Sequence, residues 1–369
     1  VPPPPVPGRV SGRLPDFPWD LLAADGDRAR AHPDGIVDLS VGTPVDPTPF
    51  VVQDALRAAA DAPGYPTVHG TDQMREAAAR WVKRTLHAEV DPDDVMPTVG
   101  SKELIAGLAG LLGLGAGARV AVPALAYPTY AVGALVAGAE VVAADSLVAL
   151  GPGPVDLVWL NSPSNPTGQV LPAEHLAKVV AWARERGAVV ASDECYVELG
   201  WSARPTSVLH PDVCGGSHQG LLAVHSLSKR SNLAGYRAGF VTGDPALVAE
   251  LVAVRRHLGL MVAAPVQAAM TAALDDDSHV SEQRERYRAR RDLLLDALGR
   301  AGFIVSHSEA GLYLWATRGE PCWDTVAWLA ERGILVAPGD FYGPGGARHV
   351  RIALTATDER VGAAAARLG

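Results

Sequence analysis

The residues best placed for chemistry lie in His225-Ser-Leu-Ser-Lys-Arg-Ser-Asn-Leu-Ala-Gly-Tyr-Arg-Ala-Gly239. Hydroxyls at 226 and 228 precede Lys229, and Arg237 follows eight residues after it. Hydroxyl donors and a bidentate guanidinium can surround a phosphate. A lysine among them can form an imine with an aldehyde anchored by that phosphate, and its amine is the more nucleophilic where its surroundings depress its pKa. An isolated Ser-x-Ser-Lys reads as a solvated loop. Arg237-Ala-Gly239, leading into another apolar run, argues against that here.

Three more segments carry suitable groups. Ala191-Ser-Asp-Glu-Cys-Tyr196 holds a carboxylate and a phenol, although a strand-end Asp alone is more often a helix cap. Asn161-Ser-Pro-Ser-Asn-Pro-Thr-Gly168 is a double Asn-Pro turn that fixes backbone direction and presents an amide. Thr98-Val-Gly-Ser-Lys-Glu103 opens a helix, whose first amides and dipole attract an anion.

Together these segments resemble the class I/II aminotransferases of PLP fold type I. That family carries Ser-x-Ser-Lys followed by Gly-x-Arg-x-Gly, Asp-x-x-Tyr and Asn-x-Pro-x-Asn-Pro-Thr-Gly, all present here. The resemblance implies pyridoxal 5′-phosphate as cofactor, with Lys229 as its imine-forming lysine and proton shuttle. It implies phosphate contacts from Ser226 and Arg237 and from Gly100, Ser101 and Lys102, with Ser228 a further candidate. Lys102 can equally face solvent. Asp193 would meet the pyridine nitrogen, whose protonation makes the ring an electron acceptor. Tyr196 and Asn165 would meet the phenolic oxygen. In Pro123-Ala-Leu-Ala-Tyr-Pro-Thr-Tyr130 the implied ring-stacking residue is Tyr127, with Tyr130 read as core. Tyr65, ahead of His69-Gly70, matches a tyrosine that crosses to the partner's phosphate, which implies a homodimer with shared active sites.

On the substrate side, Arg351 in His349-Val-Arg-Ile-Ala-Leu354 matches the family's carboxylate-binding arginine; a strand arginine paired with a structural acid is the alternative. Gly42 and Asn165 are the other implied substrate contacts, and Pro338-Gly-Asp-Phe-Tyr-Gly343 resembles the loop before the carboxylate strand. The whole chain, including Asp38–Pro47 and Leu14-Pro-Asp-Phe-Pro-Trp19, is most similar to N-succinyldiaminopimelate aminotransferases. That implies glutamate as donor, N-succinyl-2-amino-6-oxopimelate as acceptor, and a place in lysine and diaminopimelate biosynthesis. Phe17, Trp19 and the neighbour's Tyr65–Gly70 loop are expected to wall the distal pocket. An aminotransferase for aspartate, aromatic or branched amino acids, or a carbon–sulfur lyase on the same fold, would keep Lys229, Asp193 and Arg237. A decarboxylase would keep them too, although Arg351 leans against one. A PLP-binding regulatory module would need a DNA-binding domain, which the Pro-rich start does not resemble.

The elements that must position these residues alternate. Arg119–Pro123, Glu140–Ala144, Val155–Leu160, Ala188–Ser192, Leu221–His225 and Ala238–Thr242 read as short buried strands. Ser101–Leu114, Pro128–Ala137 and Pro172–Gly187 read as helices between them. The pattern predicts an α/β fold with a mainly parallel, seven-stranded-type sheet, whose ligands collect beyond the strands' carboxyl ends. Later come a long charged helix at Ser278–Ala301, strands near Phe303–Ser306, Leu312–Ala316, Ile334–Ala337 and His349–Leu354, and helices at Trp323–Arg332 and Asp358–Leu368. The expected division is a Pro-rich flexible tail (1–12), a large PLP-binding domain (41–265), and a smaller α+β domain (13–40 plus 266–369).

Composition is that of an ordinary globular protein. The 369 residues are 48% hydrophobic and 20% charged, and the net charge of −9 argues against a nucleic-acid partner. No basic cluster suggests a membrane partner, and the uncharged run Val120–Ala139 is broken by prolines and tyrosines, as a strand–turn–helix would be. Three scattered cysteines suit reduced thiols in a cytoplasm, and the Pro-rich start lacks the pattern of a signal peptide. Gly113-Leu-Gly-Ala-Gly117 follows a helix instead of a strand, so it reads as a helix stop. His210, Cys214 and His218 lack a fourth ligand, so no metal is expected. Cys195, without a paired base, reads as a small buried thiol.

Overall fold

A computed structural model describes residues 10–369. Residues 1–9 of the expected tail lie outside the described residues, and Val10–Arg13 form a 3₁₀ turn instead of extended chain. The strands are β1 (Val37–Asp38), β2 (Val95–Val99), β3 (Arg119–Val122), β4 (Glu140–Ala143), β5 (Leu157–Asn161), β6 (Val189–Asp193), β7 (Leu221–Ser226), β8 (Ala238–Gly243), β9 (Ile304–Ser306), β10 (Tyr313–Thr317), β11 (Ile334–Leu335), β12 (Ala337–Pro338) and β13 (Val350–Ala353). Seven of them form one sheet in the order β2-β8-β7-β6-β5-β3-β4. All neighbours are parallel except β8, which runs against both β2 and β7. This is PLP fold type I.

The central strands read as continuous apolar runs because both their faces are covered. Alternate residues of β6 to β8 enter two different cores: Val190, Ala223 and Phe240 one, Ala191, Val224 and Val241 the other. A third core surrounds the antiparallel sheet β12-β13-β10-β9, packed by the long helix Ser278–Arg300 and helix Asp358–Leu368.

Two expectations need correction. β2 lay outside the strands read from the sequence, where Pro97 weakens the pattern. The strand forms because it is at the sheet's edge, with β8 as its only neighbour, so the missing N–H of Pro97 costs no inner ladder bond. The single strand expected at Ile334–Ala337 is two, β11 beside β1 and β12 beside β13. The Val120–Ala139 run is β3, a turn and helix Thr129–Ala137, and no described helix is long and apolar enough to cross a membrane.

Candidate active site

The reversed β8 explains how distant segments meet. β5, β6 and β7 end at Asn161, Asp193 and Ser226 on one edge. Because β8 is antiparallel, its beginning lies on that edge, so Arg237 arrives beside them. The register pairs Asn161 with Asp193 and Ser226 with Gly239. Arg237 sits at φ 54°, ψ 52°, a left-handed conformation costing a non-glycine residue about 1–2 kcal/mol. Gly100, at φ 71°, opens helix Ser101–Leu111, and a Cβ there would come within 2.5 Å of the Arg237 guanidinium. The edge therefore forms a close cradle of hydroxyls, helix-start amides and one cation, suited to an anion.

A cavity of about 700 Å³ opens over this edge, within the range of small-molecule sites. Its lining includes Gly42, Ser101, Lys102, Tyr127, Asn165, Asp193, Tyr196, Ser226, Ser228, Lys229, Arg237 and Arg351, which the structure thus brings together. Phe17 and Trp19, expected at the distal wall, also line it. Trp19 is held by Phe341, with ring centroids 5.4 Å apart, from the loop before the carboxylate strand. Tyr65 is not brought in. Its side chain is 96% exposed on the surface of the single chain.

The Lys229 amine donates to the Gly42 carbonyl. Burial lowers its pKa, and Arg351 and Arg237 push the same way against Tyr313 and Cys195. A larger fraction of the amine is therefore neutral and nucleophilic. Asp193 is buried, accepts from the Tyr130 hydroxyl at 2.7 Å and the Cys195 backbone N–H at 3.2 Å, and has no ion-pair partner among the described residues. Burial raises its pKa despite those hydrogen bonds. A buried carboxylate lacking a cation suits a protonated ring nitrogen.

Arg351 is only 3% exposed. It donates to Asn165 Oδ1 at 3.0 Å and the Ser40 carbonyl at 2.7 Å, while its Nε finds no partner. No acid pairs with it among the described residues, which removes the structural-acid alternative. Lys102 is exposed, its Nζ 5.9 Å from the Tyr127 ring centroid.

Several residues of the site carry no functional mark in the sequence. Tyr130 is core, stacked on Trp159, yet its hydroxyl orients Asp193. Cys195, expected buried, is half-buried and lines the cavity, because Asp193 caps its backbone and turns the chain along the cavity wall. Tyr313 has no motif to mark it, being one more aromatic in the apolar strand Leu312–Ala316. His210 caps the short helix Pro211–Cys214, and the Cys214 thiol bonds the Leu209 carbonyl.

The donor set fits pyridoxal 5′-phosphate: an anion cradle, a lysine amine, a carboxylate without a cation, and a guanidinium without an acid. The sequence profile described as aminotransferase class I and II matches residues 34–368. A probable aminotransferase of Mycobacterium tuberculosis is 65% identical over 365 residues, 99% of this chain and 87% of the relative. The 4-dedimethylamino-4-oxo-anhydrotetracycline transaminase OxyQ of Streptomyces rimosus is 62% identical over 355 residues, 96% of this chain and 99% of the relative. Among solved structures, a probable N-succinyldiaminopimelate aminotransferase from Thermus thermophilus superposes with a TM-score of 0.86 at 29% identity, covering 95% of this chain and 99% of that one. Site chemistry and likeness over nearly the whole chain agree: this chain belongs to the class I and II aminotransferases, whose cofactor is pyridoxal 5′-phosphate.

Proposed function

We propose that the chain transfers an amino group between glutamate/2-oxoglutarate and N-succinyl-2-amino-6-oxopimelate, as a cytoplasmic succinyldiaminopimelate transaminase. The observation that carries the α-amino-acid part is Arg351, buried beside Lys229's cavity with an unused Nε–H and no acid partner. The larger acceptor is supported by the cavity of about 700 Å³ and by likeness to the Thermus thermophilus structure. Three unpaired cysteines support a reducing compartment.

Bound pyridoxal 5′-phosphate supplies an aldehyde for amino groups and a ring that accepts the electron pair left when a substrate's Cα loses its proton. Gly100, Ser101, Ser226 and Arg237, with Ser228 and Lys102 at the side, would hold the phosphate. Asp193 would hold a proton on the ring nitrogen, Tyr196 and Asn165 would meet the phenolic oxygen, and Tyr127 would stack on the ring. Arg351, Gly42 and Asn165 orient the substrate. Lys229 Nζ, poised by its lowered pKa, takes the Cα proton. Residues 41–265 act as the cofactor-holding unit, and 13–40 with 266–369 as the unit that brings Arg351 and the Phe17–Trp19 wall.

The chain works as a homodimer in this reading, with the partner's Tyr65 reaching the phosphate. The 96% exposure of that ring in a single chain supports the reading, and a monomeric mass by light scattering for active enzyme would refute it.

A ring ketone is the second reading. It is favoured by the 62% identity to the tetracycline transaminase and the aromatic Phe17 and Trp19 at the cavity wall. One experiment tests the first reading. The yellow holoenzyme is mixed with N-succinyl-LL-diaminopimelate, glutamate, aspartate, aromatic or branched amino acids, and the loss of visible absorbance is timed. Fast bleaching by glutamate and the succinylated donor is expected. Bleaching by the common amino acids but not the succinylated one overturns the proposed acceptor.

A further inference from the structure

We propose that Tyr313 is a positioning residue: its hydroxyl donates to the Tyr196 hydroxyl and so strengthens the hydrogen bond that Tyr196 gives the cofactor's ring oxygen, while its ring supports Arg351. This rests on the role given to Tyr196 above.

The two hydroxyl oxygens are 3.3 Å apart, and Tyr196 is the only hydrogen-bond partner found for Tyr313 Oη among the described residues. If Tyr196 commits its proton to the ring oxygen, the proton between the phenols must come from Tyr313. The Arg351 guanidinium lies 4.0 Å from the Tyr313 ring centroid, and a phenol beneath a cation is a stronger donor. Against burial, which favours the neutral phenol, Arg351, Lys229 and the Tyr196 hydroxyl bring the Tyr313 pKa below its ordinary value. Tyr196 shifts the other way, upward, through burial first and then Tyr313.

The backbone around Tyr313 is built to admit that hydroxyl. A Cβ on Gly42 would lie 2.2 Å from Tyr313 Oη and 2.8 Å from its ring carbons. Glycine at 42 therefore lets the Val41–Thr43 segment pass against the phenol. Strand pairing fixes the other side: Trp315 opposes Arg351 in β10 and β13, so Tyr313, two residues along, lies diagonal to Arg351 on the same face.

The test is a pH titration of the visible absorbance of the holoenzymes wild type, Y196F, Y313F and Y196F/Y313F, without substrate. Tyr196 donation favours the deprotonated chromophore, so losing it raises the midpoint. Y313F should raise the midpoint by roughly 0.1–0.6 pH unit, as cooperative strengthening of one charge-assisted hydrogen bond implies. Y196F should raise it further, and adding Y313F to Y196F should then change nothing. Y313L, which also removes the ring, should raise KM for the amino-acid donor about 2- to 30-fold above that of Y313F. A shift in Y196F with none in Y313F overturns the Tyr313 proposal alone, as does an equal Y313F shift in both backgrounds or equal KM in Y313F and Y313L. No shift in Y196F overturns the Tyr196 role and this proposal with it.

Discussion

Replacing Arg351 by lysine keeps a positive charge in the cavity but removes the planar fork. Two of the five guanidinium N–H donors are spent on Asn165 and Ser40, and Nε–H is unused. A substrate carboxylate would take Nε–H and a remaining terminal donor side by side. Hydrogen bonds to charged groups contribute about 1.5–3 kcal/mol each. R351A should therefore lose about 3–6 kcal/mol of transition-state binding, or roughly 10²–10⁴ in kcat/KM. R351K, keeping one charged donor, should lose about 10–10². Both variants strand the buried acceptors Asn165 Oδ1 and Ser40 O, so a fall in melting temperature is expected and does not test the reasoning. The decisive comparison is glutamate against 4-aminobutyrate, which lacks the α-carboxylate. Half-reaction rates on each are read from cofactor absorbance. The loss should be large for glutamate and small for the decarboxylated analogue. Equal losses on the two would mean that Arg351 acts only by holding the fold, and the carboxylate argument would fail.

Other outcomes follow from the buried acids. D193N removes a buried charge whose attraction for a cation about 4 Å away is on the order of 4 kcal/mol at an effective dielectric near 20, so kcat should fall about 10³-fold while folding is retained. Activity within tenfold of wild type would refute Asp193 as the ring-nitrogen partner. Glu194 is pushed up to about 7 by burial, and beside it His225 is pushed down to about 3 by burial and then Arg230. Folded protein holds a proton on Glu194 that unfolded chain has released from about pH 4.5 to 7, so this group makes stability fall as pH rises through that window. His225 acts oppositely, its unfolded form taking a proton below about 6.5 that the folded form refuses until about 3, so stability falls with acid there. E194Q cannot ionise, and relative to wild type it should gain on the order of 3 kcal/mol between pH 4.5 and 8 in urea unfolding. Parallel stability–pH curves for the two proteins would refute this.

What the sequence made legible is what is local. Ser226 to Arg237, Asp193 to Tyr196, Asn161 to Gly168 and Gly100 to Lys102 are each contiguous stretches at a strand end or helix start, so residue type and spacing already specify their geometry. The parallel sheet then gathers them, since parallel strands carry their ends to one edge. The same logic explains the errors. Pro97 is out of place in an inner strand and acceptable in an edge strand, and a single strand's composition does not say which it is. Val336 separates two short strands that pair with different partners, a difference made by β1 and β13 and not by the stretch itself.

Tyr313 and Tyr130 were missed for the same reason. In its own strand each looks like packing, Tyr130 in an apolar helix and Tyr313 between leucines. Their hydroxyls acquire chemistry only because a distant element supplies a partner, Asp193 for one and Tyr196 for the other. The two partners belong to the single turn that ends β6. Asp193 and Tyr196 are thus recognisable from the chain, while the tyrosines that orient them come from Thr129–Ala137 on one side and from the antiparallel β10 on the other. Substitutions that tune this cofactor site without abolishing it should therefore concentrate at such remote hydroxyls, where one hydrogen bond changes and the anion cradle, the lysine and Arg351 stay in place.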